Sequence, residues 1–95
     1  MSSEGLVRIA PGIGSLVGRA AALAQAGHPA TGFAALERIP TDHVVNYQPY
    51  WAARGHLLQW LSRNGYAHEA FIRAASLTDD PALRDYLFKR SAECI

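Results

Sequence analysis

Ninety-five residues with a formal charge of +1 make one domain and leave no basic excess, which argues against a chain built to neutralise a nucleic-acid backbone. Hydrophobic residues supply 49% of the chain, much of it alanine, so the core is modest and suited to close helix-on-helix packing. The single cysteine, Cys94, cannot form an internal disulfide, and no apolar run reaches the roughly 20 residues of a membrane span. A cytoplasmic chain with no membrane segment is the expectation. Residues 16–26 imitate a signal peptide, but Arg19 interrupts the run and alanine dominates it.

In chain order, residues 1–14 contain Gly5, Pro11, Gly12 and Gly14 and read as an extended lead-in, with at most a helical turn over 6–10. A single helical domain is expected over 15–95. Ser15 can cap a first helix that runs to about Ala26. Gly27-His28-Pro29 breaks the chain, and Pro29 or Ala30 begins a second helix ending near Arg38. Residues 39–46, with Pro40 and Thr41-Asp42, form a linker. A third helix over 47–63 carries Tyr47, Tyr50, Trp51, Leu57, Leu58 and Leu61 at the spacing of one wide face. Asn64-Gly65 is expected to stop it. A fourth helix covers 67–77. Thr78 or Asp79 caps a fifth, with Asp80-Pro81 in its first turn and Tyr86, Leu87 and Ala92 along one side. Short connections make these helices antiparallel neighbours.

The chain also repeats itself. Leu16, Ala20, Leu23, Gly27, Gly32, Leu36 and Ile39 are answered 35 positions later by Trp51, Gly55, Leu58, Ser62, Ala67, Phe71 and Ala74, and Arg19 by Arg54. Small residues let two backbones approach, and large ones fill the space between hairpins. The period is close to the roughly 34 residues of tetratricopeptide repeats. One hairpin cannot bury its face alone, so the expected fold is all-α: a tetratricopeptide-like stack of two helical hairpins plus a C-terminal capping helix.

Three segments carry a closer resemblance: Arg19 to Ala24 with Gly27 and Pro29 to Gly32, Tyr47 to Leu61, and Ala74 to Glu93 with its Leu77-Thr78-Asp79-Asp80-Pro81-Ala82 start. Together they resemble the C-terminal helical extension of a group of extracytoplasmic-function RNA polymerase sigma factors, in which a tetratricopeptide-like domain follows the two sigma domains. Ser62 stands where that group has a glycine, and Leu83 where it has a glutamate. The sigma domains have no counterpart here, so the chain is not expected to direct transcription by itself. The resemblance implies a bacterial, regulatory module that works through protein contacts, with a sigma-factor core or RNA polymerase as partner.

No catalytic, cofactor-binding or metal site is expected. His28, His43, His56 and His68 lie 15, 13 and 12 residues apart, too far to share a helix turn, and no nucleophile motif or phosphate loop is present. Candidate partner contacts are Arg19, Arg54, His56 and Trp60. Arg19 and Arg54 recur at one repeat position, as groove contacts or in an ion pair to Glu37 or Glu69. Trp60 lies off the stripe set by Leu58 and Leu61, where an exposed tryptophan would act as an interface hot spot. An alternative is a structural homodimer that covers the hairpin left open at the N-terminal end.

Overall fold

The computed structural model describes the backbone of residues 4–94 and the side chains of 12–94. All its regular structure is helical: α1 (Glu4–Gln25), α2 (Pro29–Glu37), α3 (Thr41–Val44), α4 (Gln48–Trp60), α5 (Asn64–Ser76) and α6 (Pro81–Glu93). The helical part of the expected lead-in is larger than foreseen, because α1 starts at Glu4 and not after Ser15. Pro11 removes one backbone donor, but the apolar period runs on without pause through Leu6, Ile9, Ile13, Val17, Ala20 and Ala24. Ile13 packs on the core, and Val17, Ala20 and Ala24 are buried in it, so the helix is anchored well before its end.

The first helix of each hairpin ends in the same way. At Gly27, φ is +97°, the Gly27 amide donates to the Ala24 carbonyl at 3.0 Å, and the His28 amide to Leu23 at 2.9 Å. Thirty-five positions on, Ser62 takes φ +63°, its amide donates to Gln59 at 3.0 Å, and the Arg63 amide to Leu58 at 2.8 Å. Both are left-handed caps of the Schellman type. The turn therefore falls at Ser62, and Asn64-Gly65 form the first turn of α5 instead of the break expected there.

The described residues form two apolar clusters. Val17, Ala20, Leu36, Val44, Tyr50 and Leu57 lead the first; Leu58, Ala67, Phe71, Ala74 and Leu87 lead the second. Leu57 and Leu58 are neighbours in sequence yet serve opposite clusters, and Phe33 and Trp51 pack against both. The linker contributes α3, whose Val44 is fully buried. α4 lies against α1, α2 and α5, and α6 against α5.

Small residues set the closest approaches. A Cβ on Gly32 would meet the Ala20 carbonyl oxygen at 2.4 Å, and one on Gly55 would meet the Phe71 ring at 2.9 Å. The pairs 20/32 and 55/67 are Ala/Gly and Gly/Ala, so each hairpin has one glycine and one alanine at these positions.

The cap of α6 is Asp80, one or two residues after the expected Thr78 or Asp79. Its Oδ1 accepts from the Ala82 amide at 3.0 Å and from Leu83 at 3.5 Å, while Thr78 Oγ1 accepts from the Asp80 amide at 3.2 Å. The buried side of α6 is also displaced from expectation. Leu87, Ser91 and Cys94 are buried and Leu83 partly so, whereas Tyr86 and Ala92 face solvent. Positions 83, 87 and 91 are spaced by one helical turn, and His68 Nδ1 donates to the Ser91 carbonyl at 2.9 Å, fixing that face against α5.

Candidate partner-binding site

α1, α4 and α6 enclose an open cleft of about 490 Å³. Ala21 and Gln25 come from α1; Ala53, His56, Leu57, Gln59 and Trp60 from α4; Arg90 from α6. His56 and Gln59 share one edge of α4, one turn apart, and Trp60 stands at the rim, 53% exposed. Arg90 reaches across from α6 and donates to Gln59 Oε1 at 2.5 Å and to His56 Nδ1 at 3.2 Å. Its guanidinium lies 5.6 Å from the centroid of the Phe71 ring, and Nη1 is 3.7 Å from Glu93. The imidazole meets the same phenylalanine edge-on, with centroids 5.1 Å apart.

Burial, and after it the Arg90 guanidinium, hold the His56 pKa below its ordinary value. Near neutral pH the ring is therefore uncharged, with the Nδ1 lone pair turned to Arg90 and the proton on Nε2. Arg90 Nε is buried and has no hydrogen-bond partner among the described residues. A cationic, donor-rich floor beneath an aromatic rim suits a protein segment that offers a carbonyl or carboxylate and an apolar side chain.

The four candidate residues do not converge. His56 and Trp60 line the cleft. Arg54 turns instead to α2, where its guanidinium pairs with Glu37, lies 3.4 Å from the Tyr50 hydroxyl and stacks 5.0 Å from the Phe33 centroid. Arg19 is exposed on the outer side of the first hairpin, in a second groove of about 500 Å³ with Leu16, Leu23 and Arg38.

Sequence reasoning missed Arg90. Its partner His56 is 34 residues away, and no local pattern announces that contact. It also passed over the pair Arg38 and Arg73, which stand at the same 35-residue offset as Arg19 and Arg54. Arg73 donates to the Val45 carbonyl at 2.9 Å and stacks 5.7 Å from Trp51, whose indole N–H donates to the same carbonyl at 3.0 Å.

Among the described residues no group of three or more His, Cys, Asp or Glu could hold a metal ion, and no helix is long and apolar enough to cross a membrane. Set beside known protein families, curated proteins and solved structures, the chain matches none.

Proposed function

We propose that the chain is a protein-interaction module of bacterial transcription regulation and not an enzyme. In this reading it is a tetratricopeptide-like stack similar to the C-terminal extension of extracytoplasmic-function sigma factors, acting in the cytoplasm. The observation that carries the reading is the duplicated hairpin. Gly27 and Ser62 adopt one backbone turn 35 positions apart, and α4 nests against both helices of the hairpin before it. That is how a helical repeat propagates: each pair buries its face on the next.

A partner segment then docks in the cleft between α1, α4 and α6. Arg90 and His56 supply the polar floor, and Trp60 is the rim anchor, a residue type that dominates interface energetics. Arg54 holds the stack together through Glu37. The partner is a sigma-factor core or RNA polymerase.

The test places a photo-crosslinking side chain at position 60 of the full chain and mixes it with a sigma core and with polymerase. A specific adduct with either is expected, and Trp60→Ala should weaken that binding about tenfold, or about 1.4 kcal/mol. Tyr66→Ala, which removes a more exposed aromatic from another face, should leave it unchanged. Absence of an adduct with both proteins would remove the transcriptional assignment.

A further inference from the structure

We propose that the outer face of the first hairpin docks a partner-protein helix that carries an aromatic residue four positions ahead of a carboxylate. The inference rests on the interaction-module reading above and adds a second surface to it, with a stated occupant.

The repeat supplies the argument. Leu16, Arg19 and Arg38 occupy the positions of Trp51, Arg54 and Arg73. In the second hairpin all three equivalents have partners, Arg54 on the preceding hairpin and Arg73 and Trp51 on the Val45 carbonyl of the linker between the hairpins. Arg54 pairs with Glu37 and stacks on Phe33 at 5.0 Å. Arg73 donates to the Val45 carbonyl at 2.9 Å, and Trp51 packs against both apolar clusters.

The first hairpin presents the same set to solvent. Leu16 is 47% exposed, Arg19 and Arg38 are exposed, and neither guanidinium has a hydrogen bond or ion pair among the described residues. They share a groove of about 500 Å³ with no carboxylate among its described lining residues. Two cations beside an uncovered leucine call for an occupant that is acidic and apolar on one face.

The second hairpin identifies the pattern further. Phe33 and Glu37 lie one turn apart on a single face of α2, and one arginine engages both. By the repeat, Arg19 would stack on the aromatic of a docked helix and pair with the carboxylate four residues on. Arg38 would take a main-chain carbonyl from the end of that segment. A second copy of this chain is a poor occupant, because its Phe33–Glu37 pair is already engaged by Arg54.

The chain contains its own probe. A helical peptide with the sequence of residues 28–40, stapled through positions 31 and 35 on the side away from Phe33 and Glu37, is titrated with the full chain by fluorescence anisotropy. Saturable binding is expected, weakened at least tenfold by Arg19→Glu and restored to that variant by a peptide carrying Glu37→Arg. Circular dichroism of Arg19→Glu should match the parent, since Arg19 is exposed. Trp60→Ala should leave the titration unchanged, which separates this surface from the cleft.

No saturation up to about 1 mM peptide would overturn the proposal. Loss of binding in Arg54→Ala but not in Arg19→Glu would also overturn it, by showing exchange with the resident α2. So would a concentration-dependent dimer in light scattering that Arg19→Glu abolishes, in favour of self-association. A crosslink at position 60 that persists while the peptide fails would leave the interaction module standing and remove only this docking face.

Discussion

Ser62 sits at φ +63°, a conformation that Gly27 adopts at no steric cost in the matching turn. A left-handed serine carries about 1–2 kcal/mol of strain, while glycine gives back about 0.4–1 kcal/mol through the freedom of the unfolded chain. Ser62→Gly should therefore stabilise the protein by about 0.5–1 kcal/mol, seen as a rise of several degrees in thermal midpoint. The opposite sign is expected at Gly32. Its new methyl would meet a backbone oxygen at 2.4 Å, and main chain cannot swing aside as a side-chain tip can. Gly32→Ala should cost about 1–3 kcal/mol or more in chemical denaturation. A neutral Gly32→Ala would mean that α1 and α2 can slide apart freely.

His56 supplies a pH dependence. Its pKa is held below the ordinary 6.5 by burial first and by Arg90 second. The unfolded chain then takes up a proton at a pH where the folded chain does not. The contribution of the neutral ring is complete above about pH 6.5, declines as pH falls below that value, and levels off once the folded ring is protonated too. Between about pH 7.5 and about pH 5.5 the urea midpoint of the parent should drop more than that of His56→Asn, whose amide oxygen still accepts from Arg90. Parallel curves would show that the imidazole does not couple to folding.

At the scale of the helix, the ends decide what could be read in advance. Gly27-His28-Pro29 and Asp80-Pro81 announce themselves, because a glycine past a helix end and a proline inside a helix start are strong local signs. The end of α4 does not, since serine is not a residue that normally marks a left-handed turn, and Asn64-Gly65 offers a more conspicuous decoy. The start of α1 was hidden by Pro11 and three glycines, although the apolar period beneath them continued. On α6 the visible aromatics, Tyr86 and Phe88, are exposed, and the buried stripe includes Ser91, which no hydropathy pattern would favour. Candidate-site residues followed the same rule. Trp60 was legible from its own helix as lying off the apolar stripe, whereas Arg90 depends on a contact between α4 and α6 that only the fold creates. The cap of α6 can be tested directly: Asp80 accepts from two amides, so Asp80→Ala should lower stability by about 1 kcal/mol, and Asp80→Asn or Asp80→Ser should recover most of it. A loss of the same size in all three would place the effect outside the cap.

For the molecule as a whole, the question is whether two apolar clusters behave as one. Each is small for an independent core, and the side chains shared between them are few. Phe33 of α2 and Trp51 of α4 pack against both clusters, and the Arg54–Glu37 pair joins α4 to α2 with both partners partly in solvent. An ion pair so placed contributes at most about 1 kcal/mol, so the aromatic contacts carry the coupling. Urea unfolding of the parent should accordingly be one transition, with tryptophan emission and helical circular dichroism superimposed. Phe33→Ala removes packing from both clusters at once and should cost about 2–4 kcal/mol. It should also lower the slope of the transition or split the two probes, because Trp51 and Trp60 both lie on α4 while circular dichroism reports every helix. Tyr66→Ala, at a side chain 65% exposed, should change the midpoint by no more than about 0.5 kcal/mol and leave the slope alone. A Phe33→Ala curve that is merely displaced, with its slope intact and its probes still coincident, would show that the hairpins are joined through contacts other than this ring.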